Sequence, residues 1–78
     1  MIKAIEKRTL KAEDLPHFNC VVANGNKFKL LDLVRVTKKD GFAVIGQISD
    51  IRYNSIDILS RHSNIITLRF DVIEDITN

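Results

Sequence analysis

The 78-residue chain predicts a mainly β fold, a small, strongly bent barrel of five strands. Three observations carry this. Between Gly41 and Ile76 apolar residues alternate in short runs separated by polar turns. Asn24-Gly25 and Asp40-Gly41 stand between runs, where tight hairpins need residues that accept positive φ. Gly46 lies inside a run, and Ile51 falls one residue out of step with Ile48, as a bend that curls a sheet onto itself requires.

Taken in order, residues 1–17 form an N-terminal arm or short helix, and residues 18–78 form the barrel of a single domain. Ile2 and Ile5 share a helical face, but Thr9 has the character of a helix cap and interrupts a continuous helix. Pro16 ends whatever Leu10 to Leu15 forms. The expectation is a short strand or arm, about one helical turn in LKAED, then a break.

FNCVVA reads as a strand leading into the Asn24-Gly25 turn. NKFKLLDLVRVT returns with Leu30, Val34 and Val36 on one side and Lys29, Leu33, Arg35 and Thr37 on the other. Asp32 falls on the apolar side, where its carboxylate can accept backbone N–H groups in a tight turn. After KKDG, Val44, Gly46 and Ile48 share a face, and a bulge near Ser49-Asp50 restores Ile51 to it. RYNS turns, Ile56 and Ile58 point inward, and SRHSN turns again. Ile66, Leu68 and Phe70 point inward, with Ile65, Thr67, Arg69 and Asp71 outward. Ile73 and Ile76, three apart, fit one 3-10 or helical turn before a short last strand at Ile76.

LDLVRVTKKDGFAVIGQISDI resembles the opening of SH3-like and Sm-like barrels, and NSIDIL with ITLRFDVIEDI is similar to the end of the Sm-like pattern. The last half also resembles the carboxy-terminal region of YolD-like proteins of bacteria and their mobile elements. Gly46, Ile48 and Ile51 are followed there by Leu68, Phe70, Asp71, Ile73 and Ile76, with Leu68 where isoleucine is usual. The resemblance implies a small-barrel fold, and its residues are mostly core formers.

Composition narrows the functions. The single Cys20 excludes an internal disulfide framework and fits a reduced, cytoplasmic setting. No run approaches the roughly 20 apolar residues of a membrane span. No nucleophile–base pairing, phosphate-cradling glycine loop or His-x-x-x-His pattern is present, so catalysis, a cofactor and a metal are not expected. His17 and His62 have no second ligand nearby, Cys20 reads as a buried inert thiol, and Asp71, Glu74 and Asp75 read as a solvated acidic turn.

Charge is divided along the chain. Residues 1–39 hold nine Lys or Arg against four Asp or Glu, while residues 40–78 hold three against six. Such asymmetry fits a basic surface for an anionic partner, and equally two halves that complement each other across one folded surface. Lys27, Lys29, Arg35, Lys38 and Lys39 follow one hairpin and the next turn, with Arg52 and Tyr53 at a later strand end. If the barrel gathers these at one mouth, the basic side chains contact DNA or RNA phosphates while Tyr53 or Phe42 stacks on a base. The function expected is a non-enzymatic, nucleic-acid-associated accessory or regulatory protein of a bacterium or mobile element. The alternative is a protein-interaction adaptor or inhibitor acting through open strand edges, which also permit homo-oligomers.

Overall fold

The computed structural model describes residues 2–8 and 17–78. The helical turn expected in LKAED, with the Thr9 cap and the break at Pro16, lies outside them. The described chain is mainly β, with eight strands in two antiparallel sheets. The first sheet is a meander of β1 (Ile2–Lys7), β2 (Phe18–Ala23) and β3 (Asn26–Lys29). The second contains β4 (Leu33–Lys38), β5 (Ala43–Ile51), β6 (Ser55–Ser60), β7 (Ile65–Arg69) and β8 (Ile73–Thr77), in spatial order β7-β6-β5-β4-β8. No helix among the described residues is long and apolar enough to cross a membrane.

The expectation of one five-stranded barrel is met only in part. Five strands do share a sheet, but no closed barrel forms among the described residues, and a separate three-stranded sheet covers them. The cause lies at Leu30 to Asp32, where NKFKLLDLVRVT breaks instead of running through as one strand. Leu31 takes φ 76°, a conformation that L-residues seldom adopt. The Asp32 carboxylate accepts the Lys29 N–H at 2.9 Å, the turn-forming role read for it from the sequence. Leu31 N–H donates to the Ile48 carbonyl at 2.8 Å, and Ile48 N–H donates to the Asp32 carbonyl at 3.0 Å. These bonds seat the break against β5, so β3 and β4 enter different layers.

Alternation then builds one core between the layers. Ala4, Val21, Ala23 and Phe28 bury their side chains from the first sheet. Val34, Val36, Ile48, Ile51, Ile56, Ile58, Leu68, Ile73 and Ile76 meet them from the second. Ile48, Ile51, Ile56 and Ile58 are fully buried. The register slips between Ile48 and Asp50, so the bulge read from the position of Ile51 is present. Gly46 faces the core side of β5, where an added Cβ would collide with the Leu59 carbonyl oxygen and lie 2.7 Å from Ile58 Cγ2.

Turn chemistry follows the sequence at one hairpin and departs from it at another. Asn24 and Gly25 both have positive φ (51° and 85°), as a two-residue type I′ turn demands. Asp40-Gly41 works differently. Gly41 alone is left-handed (φ 94°), its N–H donates to the Lys38 carbonyl, and the Asp40 side chain accepts the Phe42 N–H at 3.0 Å. The 3-10 turn spans Phe70–Val72, earlier than the Ile73–Ile76 spacing implied. Ile73 and Ile76 instead lie in β8, and a register shift opposite Thr37 and Lys38 lets both face inward although three apart. Phe70 is half-buried against the core that Ile48, Ile58 and Leu68 share.

Candidate nucleic-acid interface

Two broad outer faces result, and they differ in charge. On the first sheet the register sets Lys3 opposite Val22 and Val22 opposite Lys27, while Ile5, Cys20 and Lys29 form the neighbouring row. The opposite side of these strands is the buried one, carrying Ala4, Val21 and Phe28. Lys3, Lys27 and Lys29 are therefore exposed on a single face. Strands lie about 4.8 Å apart and alternate residues about 7 Å apart, so the Cα positions of the three lysines stand within roughly 12 Å of one another.

Glu6 is the carboxylate that meets this face. At φ 61° it interrupts the ladder between the Ile5–Cys20 and Lys7–Phe18 pairs and reaches Lys27 Nζ at 2.5 Å. Lys27, by hydrogen bond and charge, holds the Glu6 carboxyl below its ordinary range. Both partners are about half exposed, so the pair exchanges readily for another anion. Cys20 lies beneath these side chains, 3% exposed and outside the main core cluster. Burial first, then the Glu6 carboxylate, pushes its thiol up, and the burial read for Cys20 from the sequence is present.

The other predicted contacts are dispersed. Lys38 ends β4 and Lys39 follows it in the connection to β5, with Lys38 Nζ 3.5 Å from Asp40. Arg35 points outward from β4, opposite Ile45 and Thr77 on the second sheet. Tyr53, 62% exposed, sits at the far end of the nine-residue β5 from the likewise exposed Phe42. The single mouth imagined from the sequence does not gather these groups. Lys27 and Lys29 do share a face, joined there by Lys3, which sequence reasoning missed. The signal was weak, because IKAIEK alternates only over Ile2, Lys3 and Ala4 before two apolar and then two polar residues stand side by side.

Arg52 has a different task. The bulge places Asp50 opposite Asp57, two like charges facing across β5 and β6. Arg52 Nη1 donates to Asp50 Oδ2 at 3.0 Å and to Asp57 Oδ2 at 3.1 Å, and Nη2 donates to Asp57 Oδ1. Thr67 Oγ1 adds a bond to Asp57 at 2.7 Å. Asp50 Oδ1 also accepts from Arg8 Nη2 at 2.6 Å, His17 Nδ1 at 2.9 Å and the Ile51 N–H at 2.9 Å. Arg52 is thus committed within the chain. Among the described residues no three His, Cys, Asp or Glu side chains converge as a metal site would need.

This cluster predicts an acid-sensitive stability term. Burial pushes the Asp50 carboxyl up, but the His17 hydrogen bond and charge, the Ile51 N–H and Arg8 outweigh it and bring it below the ordinary 3.8. Arg52, first by hydrogen bond, lowers Asp57 likewise. Depressed folded values mean that the stabilisation is present above the unfolded value and is lost as pH falls through the folded ones. Arg52→Ala should therefore lower stability at pH 7 by about 1 kcal/mol, a figure kept small for solvent screening. The gap from wild type should close as pH falls from about 5 to about 2, read from urea midpoints along the series. A gap that stays constant in acid would remove the charge cluster from the account.

Compared with known proteins, the chain matches no family model, no curated protein and no solved structure.

Proposed function

We propose that the chain is a non-enzymatic binding module that associates with DNA or RNA through its first sheet. In this reading it acts as an accessory or regulatory protein of a bacterium or mobile element. The observation that carries the reading is the alignment of Lys3, Lys27 and Lys29 on one exposed face, with Glu6 as a displaceable counter-ion. Lysine ammonium groups recognise phosphates and not base edges, so in this reading contact is with the backbone and independent of base sequence. Three lysines support weak binding, in the micromolar range or weaker at physiological salt. The five-stranded sheet, with its bulge, its 3-10 turn and its last strand, is read as an SH3-like or Sm-like barrel left partly open.

The test is a set of charge variants titrated with a fluorescent single-stranded oligonucleotide and with a duplex. Lys27→Glu with Lys29→Glu should abolish measurable binding, and Lys3→Ala should weaken it several-fold. Arg52→Ala should leave it within about twofold after correction for folded fraction, since that guanidinium is engaged internally. Equal losses from Lys38→Ala with Lys39→Ala and none from the first-sheet variants would relocate the site.

A protein partner is the second reading, supported by the outer edges of β7 and β8, which no other strand pairs among the described residues. An added strand can pair with either edge. Retention of one specific protein from nuclease-treated lysate, with no oligonucleotide binding at about 50 mM salt, would favour it.

A further inference from the structure

We infer that the outer face of the five-stranded sheet is a contact surface for a second copy of this chain, joining two molecules face to face. Register places Leu33 opposite Gln47, Gln47 opposite Leu59 and Leu59 opposite Ile65, so these four form one row across β4, β5, β6 and β7. Ile45, two residues from Gln47, flanks the row on the same side. Leu33, Ile45 and Ile65 are 68%, 57% and 63% exposed, an apolar stripe on the solvent side of a sheet whose other side is already a core. Scattered exposed apolar residues are ordinary, whereas a contiguous stripe marks an interaction surface.

Size and charge identify the occupant. The molecule is a slab with principal extents of 37 × 28 × 18 Å, and its broad face can supply the roughly 800 Å² per partner that a stable pair buries. Asp50 and Asp57 border the stripe and are balanced by Arg52 and Arg8, and Arg69 pairs with Asp71. Arg35 and Arg61, at the end of the stripe near Ile45, are the cations there without an ion pair among the described residues. The rest of the face is charge-balanced, so its apolar row can meet its own copy with the two arginines left at the rim in solvent. The opposite face, with Lys3, Lys27 and Lys29, cannot. Two sheets stacked about 10 Å apart would interdigitate Leu33, Ile45, Leu59 and Ile65 as in a sandwich core. The pair would present two lysine faces pointing away from each other. The free strand edges are not used.

The experiment is sedimentation equilibrium on the full chain over a broad concentration series, without nucleic acid. Wild type should approach twice the monomer mass, with a dissociation constant in the micromolar range. Ile45→Ser with Ile65→Ser should raise that constant at least tenfold, while Lys27→Glu with Lys29→Glu should leave it unchanged. Circular dichroism checks that each variant keeps its β spectrum. Concentration-dependent methyl shifts of Ile45 and Ile65 in wild type give a readout that needs no variant. A monomer at every concentration overturns the inference, as does a dimer indifferent to the Ile45 and Ile65 changes. Either result leaves the lysine-face reading standing, because oligonucleotide binding is measured separately.

Discussion

Ile58→Ala is expected to cost about 2–5 kcal/mol, with most of the cooperative stability of the chain lost. Ile58 is fully buried, lies directly opposite Ile48 across β5 and β6, and opposite Ile66 across β6 and β7. Truncation therefore removes contacts on both flanks at the centre of the five-stranded sheet. Backbone hydrogen bonds on either side hold the strands in place, so the space cannot readily collapse. A domain of this length has a total stability of roughly 4–12 kcal/mol, so one such change consumes a large part of it. Urea denaturation followed by circular dichroism measures the loss. Ile65→Ala is the control: one position from Ile66 but exposed, it should shift the midpoint by no more than about 0.5 kcal/mol at concentrations low enough to keep the chain monomeric.

Gly46→Ala should be destabilising by about 1–3 kcal/mol, although it adds a single methyl group. Gly46 has no positive φ to explain its presence. The constraint is room, because the new Cβ would press on the backbone of Leu59 and the side chain of Ile58. Backbone cannot rotate aside as a flexible side chain can, so β5 and β6 must separate locally. Reduced freedom of the unfolded chain returns roughly 0.4–1 kcal/mol, which does not offset the clash. Hydrogen exchange should show faster opening at Gln47 and Leu59 than in wild type. A neutral or stabilising result would mean that the two strands are less closely apposed there.

These two positions also mark what the sequence disclosed. Ile48, Ile56, Ile58 and Leu68 were legible as core because strict alternation leaves a half-buried strand few alternatives. The one-residue offset of Ile51 disclosed the bulge for the same reason. Leu31 was not legible. Nothing about a leucine announces φ 76°, and only the pairing of its backbone with Ile48 makes that conformation worth its cost. Once that break was missed, β2 and β3 were read as part of the barrel and β1 as an arm, so Lys3 was not joined to Lys27 and Lys29. The Arg52 cluster was hidden for a related reason. Asp50 and Asp57 face each other only through the bulged register, and two carboxylates seven positions apart look like ordinary surface charge until that register is known.

The division of the molecule into a lysine face and an apolar face rests most directly on how nucleic-acid affinity responds to salt. Binding of a fluorescent single-stranded oligonucleotide, followed by anisotropy from about 50 to 200 mM salt, measures the number of phosphates neutralised. With Lys3, Lys27 and Lys29 as the contacts, log K should fall against log salt with a slope of about −2 per bound chain. Lys29→Ala should reduce its magnitude by about 0.7. Affinity independent of salt, or a slope that Lys29→Ala leaves unchanged, would contradict the account.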